Sequence, residues 1–490
     1  MSVAAPETYE TTIGLEIHVE LATASKMFCG CAVAFGGDPN TRTCPVCLGL
    51  PGSLPVANER AVEYTMKIGL ALNCHIANDS LFHRKNYFYP DMPKNYQISQ
   101  YDLPLCYGGY VDITGDFGTT LVGITRVHLE EDTGKSVHVG GAGRIAESDY
   151  SLEDFNRAGT PLVEIVSEPD IHSAEEARAF VSELRSILEG LGVSDVRMEE
   201  GSLRVDANIS VRRVGETEHG AKVEVKNMNS IRSVARALEY EEQRQRKALE
   251  EGDDLMQETR HFDEKTGTTS SMRTKEYAFD YRYFPEPDLV PLEPSAEWIE
   301  RVRKSLPESP AERRRRFESQ YGLGAADVAI LTSSAATSAW FEEAARAYRR
   351  EPKKVVNWII ADLFGLLNEA GVELAECKIR PIQLAGLIEL IDAGTISGKQ
   401  AKLVLAEMFE TGDDAQVIAE RRGLVQMSDA GALEAVVDEV IEDNADAADK
   451  VRAGNAGTIG FLVGRVMSKT SGRANPKMVN DLLRRKLTGE

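Results

Sequence analysis

The chain has 490 residues, 42% of them hydrophobic, enough for two to four domains that each bury a core. Its 78 acidic residues against 56 basic ones leave a net charge of -22, which excludes indiscriminate nucleic-acid binding driven by counterion release. No window approaches the roughly 18 apolar residues of a membrane span, and the opening MSVAAPETYETT lacks the basic end and apolar core of a secretion signal, so a cytoplasmic protein with no membrane partner is expected.

The first element is a strand. In Ile13-Gly-Leu-Glu-Ile-His-Val-Glu-Leu21 every odd position from Ile13 to Leu21 is apolar, so one face buries them and the other projects Glu16, His18 and Glu20. Next comes a cysteine cluster: Cys29-Gly-Cys31, twelve residues, then Cys44-Pro-Val-Cys47. Two close pairs joined by a loop can close a tetrahedron of thiolates around Zn2+. Four sulfur ligands leave no open coordination position, so such a metal is structural. The odd total of seven cysteines fits a reducing compartment better than a disulfide framework.

Further along, Glu130, Glu131 and Asp132 form an acidic cluster whose spacing leaves open which carboxylate turns inward. Leu162-Val-Glu-Ile-Val166 places Glu164 inside an apolar run, where an ionised carboxylate is costly unless a cation or hydrogen bonds satisfy it. Leu203 to Val211 alternates like the first strand and groups Arg204, Asp206 and Asn208, and Val223-Glu-Val225 sets Glu224 between Lys222 and Lys226. Singly, each strand reads as the wet face of a sheet carrying surface ion pairs of little worth. Together with one imidazole they form the hard oxygen donor set that suits Mg2+ and phosphoryl chemistry.

Helical spacing marks Ser173 to Gly190 and Ser230 to Glu250, which with the strands predicts an α+β domain around a mainly antiparallel sheet. A linker follows, from Phe284 to Pro294, with four prolines in eleven residues. Beyond it the chain reads as all helical: Ala335 to Tyr348, Lys353 to Glu369, Pro381 to Ala393, and, after a break at Gly412-Asp413-Asp414, Ala432 to Ile441, Thr458 to Met467 and Met478 to Leu487. Domains are therefore expected at 1-293, 294-412 and 413-490. The last stretch is basic, with Arg465, Lys469, Arg473, Lys477, Arg484, Arg485 and Lys486 against only Asp481 and Glu490.

Three motifs fail on inspection. Leu129 to Ser136 ends in Gly-Lys-Ser but lacks the first glycine of a P-loop and fills the loop with acids. The glycines at 141 and 143 lack the parallel-sheet unit of a dinucleotide turn. Ser270-Ser271 near Lys275 lacks the glycine-rich surroundings of an amidase nucleophile.

The blocks IGLEIHVEL, CGC to CPVCLGLPGSLPVAN, HRKNYFYPDMPKNYQISQYD, HLEEDTGK, NRAGTPLVEIVSEPD, EVKNMNS and DYRYFPEPDL, in this order, closely resemble the B-subunit family of the bacterial and organellar aminoacyl-tRNA amidotransferases. GRVMSKTSGRANPKMVNDLLRRKL resembles the family's tail. The resemblance implies a glutamine-synthetase-like cradle domain, then a helical domain and a tail domain that contacts tRNA. It implies ATP-dependent amidation of misacylated Glu-tRNA(Gln), Asp-tRNA(Asn) or both, through an acyl phosphate attacked by ammonia. The implied partners are an amidase, the A subunit; a small protein, the C subunit; the misacylated tRNA; and a non-discriminating tRNA synthetase.

On the same resemblance, Glu16, His18, Glu131, Glu164, Asp206 and Glu224 match the residues that hold Mg2+ and shape the ATP and ammonia path, and Lys85 matches a lysine of the pocket. The four cysteines match a zinc site, and Lys477, Arg484 and Arg485 are the tail residues expected on tRNA. Which of Glu131, Glu164 and Glu224 takes the ammonium proton stays open. The competing reading is an ATP-dependent ligase acting on a small or protein-borne carboxylate without tRNA.

Overall fold

A computed structural model describes residues 9–140, 148–218, 220–274, 281–424, 430–453, 456–470 and 474–489. The glycine pair at 141 and 143, Lys275 and Arg473 lie outside the described residues. The chain divides into two compact units, Met1–Pro310 and Ala311–Glu490.

The first unit is built on a nine-stranded sheet. From one edge to the other its strands are Thr268–Thr274, Glu258–Asp263, Val223–Lys226, Leu203–Arg213, Tyr9–Glu20, Pro161–Ser167, Gly118–Glu131, Cys106–Gly115 and His75–Ile76. Only Val223–Lys226 and Glu258–Asp263 run parallel; the other neighbouring pairs are antiparallel. The sheet is thus mixed but mainly antiparallel, as the alternating segments predict.

Tyr9–Glu20 behaves as its alternation requires: Ile13, Leu15, Ile17 and Val19 are buried on one face. That face is covered by two helices, Ala174–Leu191 and Ile231–Glu251, whose Phe180, Leu184, Val234 and Leu238 join the same core. Both helices start on a serine side chain, Ser173 accepting from the Glu176 amide and Ser230 from that of Ser233. Both stop at a left-handed glycine, Gly192 at φ 65° and Gly252 at φ 80°. Pro161–Ser167 is paired on both edges and is buried along most of its length, with Glu164 the one charged residue in its apolar run. The opposite face of the sheet is left to polar side chains.

A small sheet of Phe284–Pro285, His83–Asn86 and Tyr96–Ser99 forms beside the main one. The helix Ala296–Lys304 belongs to this unit, burying Val302 in its core. Every described element of the second unit is helical. Lys353 to Glu369 is helical throughout but widens into a π-helical segment at Trp358–Leu363. The second unit holds two separate cores, one from Phe317 to Ala419 and one from Leu433 to Leu487. Helix Ala415–Arg421, which follows Gly412, buries Ala415, Ile418 and Ala419 in the first of these. No helix among the described residues is long and apolar enough to cross a membrane.

Candidate active site

Strand register places the polar face. In the central pairings His18 stands opposite Arg204 on one side and Glu164 on the other, Glu164 opposite His128, Glu16 opposite Asp206, and Asn208 opposite Glu224. The result is a cleft of ≈ 450 Å³ walled by Glu16, His18, Lys85, Glu164, Asp206 and Glu224, with Lys226 among the cations. Six of the seven residues expected in the catalytic pocket are therefore brought together.

At its centre, His18 Nε2 lies 3.6 Å from Glu130 and 3.5 Å from Glu164, and His128 Nε2 lies 3.5 Å from Glu164. One ligand atom each from His18, Glu130 and Glu164 falls within 4.8 Å of the others. Burial opposes charge on His18, but the hydrogen bond to Glu164 and the fields of Glu164 and Glu130 outweigh it and raise its pKa. Burial lowers His128 to about 4, so it is neutral at pH 7. Burial and the nearby Glu164 raise Glu130. Glu164 itself, despite burial, is held well below the carboxylate range by His128, His18 and Lys85. Lys85 is buried yet keeps its charge, because Glu130 and other nearby groups outweigh the desolvation.

The far side of the cleft is a polar lattice. Asn208 donates to Glu16 at 3.0 Å, Lys226 Nζ sits 2.6 Å from Asp206 and 3.1 Å from Glu224, and the Thr259 hydroxyl donates to Glu224 at 2.8 Å. These pairings fix the carboxylates along the wall without filling the cavity.

Glu131 does not belong to this cleft. It pairs with Lys94, accepts the Ile98 amide at 3.0 Å, and lines a separate cavity of ≈ 190 Å³ with Lys26, Cys29, Cys47 and Lys94. Its neighbour Glu130 takes the place expected of it, because successive side chains on a strand point to opposite faces. The signal was present in Val127-His-Leu-Glu-Glu131: with Val127 and Leu129 inward, His128 and Glu130 share the other face. His128 and Lys226 are the other site residues that motif reading did not single out. Beyond His18 on the same strand, Glu20 hydrogen-bonds Asp132, which also takes a 2.9 Å bond from Arg204.

The four cysteines converge. One sulfur each from Cys29, Cys31, Cys44 and Cys47 lies within 4.8 Å of the rest, and Cys44 and Cys47 are 3.9 Å apart. Tetrahedral bonds of about 2.3 Å require sulfurs about 3.8 Å apart, so the donor set fits a closed zinc centre. The hydrogen bond from Cys29 lowers the Cys47 thiol to about 4 against the cost of burial, with help from the Cys44 amide and Lys26. Lys26 is only 1% exposed; its ammonium donates to the carbonyls of Arg42 (2.8 Å) and Phe155 (3.1 Å) and lies 3.7 Å from Cys47 Sγ. A buried cation set against sulfur suits an anionic tetrathiolate.

In the tail, helix Pro476–Thr488 carries Lys477, Arg484 and Arg485 on its exposed side. Arg485 is 3.5 Å from Glu434, and Arg484 donates to Asn480.

A sheet with one helix-covered face and one face of converging carboxylates, imidazoles and lysines is the frame of a catalytic domain. Residues 11–300 match the family model described as the GatB/GatE catalytic domain, and residues 339–487 match the one described as the GatB domain. The chain is 55% identical over 479 residues to a protein of Carboxydothermus hydrogenoformans, covering 98% of this chain and 99% of that one. It is 55% identical over 479 residues to one from Moorella thermoacetica (98% and 100%) and 50% identical over 475 residues to one from Persephonella marina (97% and 98%). All three relatives carry the name of the B subunit of an aspartyl/glutamyl-tRNA(Asn/Gln) amidotransferase. The chain belongs to the GatB/GatE family.

Proposed function

We propose that this chain is the kinase and transamidase component of a tRNA-dependent amidotransferase, converting Glu-tRNA(Gln), Asp-tRNA(Asn) or both to the amide form. The observation that carries the reading is the convergence of His18, Glu130 and Glu164 beside a cleft that His18 and Glu164 wall together with Lys85, in a chain that aligns with its named relatives almost end to end. A carboxylate is a poor electrophile, so the tRNA-linked side chain must first accept a phosphoryl group from ATP, and the acyl phosphate then accepts ammonia. The obstacle is charge, because triphosphate and substrate carboxylate repel each other.

The donor set fits Mg2+. His18, Glu130 and Glu164, with Glu16, Asp206 and Glu224 across the cleft, would hold the ion, which would supply neutralisation of the charge that develops on the transferring phosphoryl oxygens. Lys85 and Lys226 place fixed positive charge in the same cleft and orient the phosphates. Glu164 stays ionised through the working pH range, and His128 stays neutral beside it. Glu131, paired with Lys94 in the neighbouring cavity, belongs to the ammonia path rather than to the metal.

The cradle is further assigned a glutamine-synthetase-like fold, the four cysteines a structural zinc ion, and the tail helix a role on tRNA. The division into catalytic, helical and tail parts follows the three cores, with boundaries after Pro310 and Leu424 in place of 293 and 412. The amidase partner supplies the ammonia, the small third partner joins the assembly, a non-discriminating synthetase delivers the misacylated tRNA, and the complex works in the cytoplasm.

The test is amidation by this chain with its A and C partners, ATP, Mg2+, misacylated tRNA and ammonium. Activity that survives loss of the nucleophilic serine of the amidase partner and disappears with Glu164→Gln here is the expected result. ATP turnover on free glutamate, indifferent to tRNA, would instead establish a small-carboxylate ligase.

A further inference from the structure

One wall of the cleft is aromatic and has no part in the phosphoryl chemistry above. Tyr101 and Tyr283 lie face to face, ring centroids 4.3 Å apart and planes 10° from parallel. Tyr281 meets Tyr283 edge-on at 6.0 Å, and His83 meets Tyr101 edge-on at 6.2 Å. All three tyrosines line the cavity that holds His18, Lys85 and Glu164. Even so, Tyr101 is 56% exposed.

Both segments that carry the stack are fixed from beneath. The Asn86 amide donates to the Tyr281 carbonyl at 3.0 Å, and its side chain donates to that of Arg282 at 2.9 Å. Arg84 grips the buried Glu286 through two hydrogen bonds, of 2.7 and 2.9 Å, just past Tyr283. Gln100, next to Tyr101, is 2% exposed and accepts the amides of Leu105 and Leu129 while donating to Ser80. Polar bonds therefore fix the segments on which the rings stand, and Tyr101 stays more than half exposed beside a charged cleft. An apolar surface held rigid in such surroundings is a stacking platform, and the ligand chemistry that matches it is a flat heterocycle attached to an anionic backbone.

We propose that the Tyr101–Tyr283 stack is the platform for an unpaired purine base, the adenine at the 3′ end of the bound tRNA. The proposal rests on the tRNA-dependent reading of this site. Two substrates of that reaction bring an adenine, and the arms of the experiment separate them. Each adenine is joined through its ribose to the reacting atom by a tether of similar length, the aminoacyl side chain in one case and the α- and β-phosphates in the other. The exposure of Tyr101 suits a base carried in at the end of an RNA strand. The terminal base is also single-stranded, so both its faces are free to stack.

The experiment uses the assembled amidotransferase and two RNA minihelices that differ only in whether the terminal adenine base is present or removed. Fluorescence polarisation with wild type should show about tenfold weaker binding of the abasic RNA. Tyr101→Ala should bind the complete RNA about tenfold more weakly and no longer distinguish the two, and Tyr101→Phe, which keeps the aromatic face, should behave as wild type. Tyr101→Ala that discriminates as well as wild type would overturn the proposal. So would a rise in the KM for ATP in that variant with RNA discrimination intact, which would give the platform to the adenine of ATP. Failure of wild type to bind either RNA would overturn the tRNA-dependent reading itself, and the platform with it.

Discussion

Glu130 and Glu131 are consecutive on one strand and serve opposite sides of it: Glu130 faces His18 at 3.6 Å, and Glu131 is tied to Lys94 and the Ile98 amide. The two neighbouring carboxylates therefore belong to different clusters, Glu130 to that of His18 and Glu164, and Glu131 to the cavity beside Lys94.

Substitution should separate them. Glu130→Gln removes a donor from the His18–Glu164 cluster and is expected to cut ammonium-dependent amidation by about 100-fold or more, with the thermal midpoint little changed. Glu131→Gln leaves the Lys94 ammonium, 6% exposed, without its ion partner, and breaking such a buried pair costs about 3 kcal/mol or more. Calorimetry and steady-state kinetics on both variants check this. Equal activity losses at equal stability would contradict the separation.

The Glu20–Asp132 pair makes a pH prediction. Burial and the adjacent Asp132 push Glu20 up to about 8, and Arg204 and Arg157 hold Asp132 low against the same burial. The folded protein thus binds a proton on Glu20 that the unfolded chain, with its ordinary pKa near 4.5, releases. The stability gained is complete below that lower value and is lost as pH rises through about 8. Between about pH 5 and pH 9 the thermal midpoint of wild type should fall by several degrees relative to that of Glu20→Gln. Parallel curves for the two proteins would remove Glu20 from the account.

Much of this site was legible because it is built on strands, where period-2 alternation fixes direction. Ile13 to Leu21 and Leu203 to Val211 gave away Glu16, His18, Asp206 and Asn208, and the apolar run around Glu164 required a partner for its carboxylate, which His18 and His128 supply. Spacing could not supply which strands are neighbours. His18 meets Glu130 and Glu164 only through pairings that join segments far apart in the chain. The same limit hid the partnership of Lys26 with Cys47, and of Tyr101 with Tyr283, since neither lysine nor tyrosine carries a pattern of its own. Helix boundaries in the second unit followed their caps and periodicity closely, but the extent of each core depends on packing, and the helix after Gly412 joined the preceding one.

The cysteine centre should be a stability element. One zinc per chain is expected by metal analysis, and its removal by a chelator should lower the unfolding temperature while added zinc restores it. Lys26→Met removes the buried charge beside Cys47 and should weaken zinc binding about 10- to 100-fold in competition with a chromophoric chelator. Lys26→Arg, which keeps the charge, should lose less. Unchanged affinity in Lys26→Met would show that the two backbone carbonyls, rather than the sulfur, are what the ammonium serves.

The tail prediction is graded by what each cation already touches. Arg485 lies 3.5 Å from Glu434, and Lys486 sits between Glu434 and Asp438 at 3.0 and 2.7 Å, so part of the basic charge is answered within the bundle. Lys477 and Arg484 are exposed and make no such ion pair among the described residues, which leaves them the stronger partners for phosphate. For each phosphate no longer neutralised, the slope of log K against log salt should become shallower by about 0.9. Lys477→Glu and Arg484→Glu should therefore each weaken tRNA binding and flatten its salt dependence, and Arg485→Glu should do so less. Amidation at saturating tRNA should be unaffected in all three, because the tail charges act on encounter and hold no atom of the cleft. Salt titrations of tRNA binding by the assembled enzyme measure this directly; slopes identical to wild type in Lys477→Glu and Arg484→Glu would place the tRNA body on another surface.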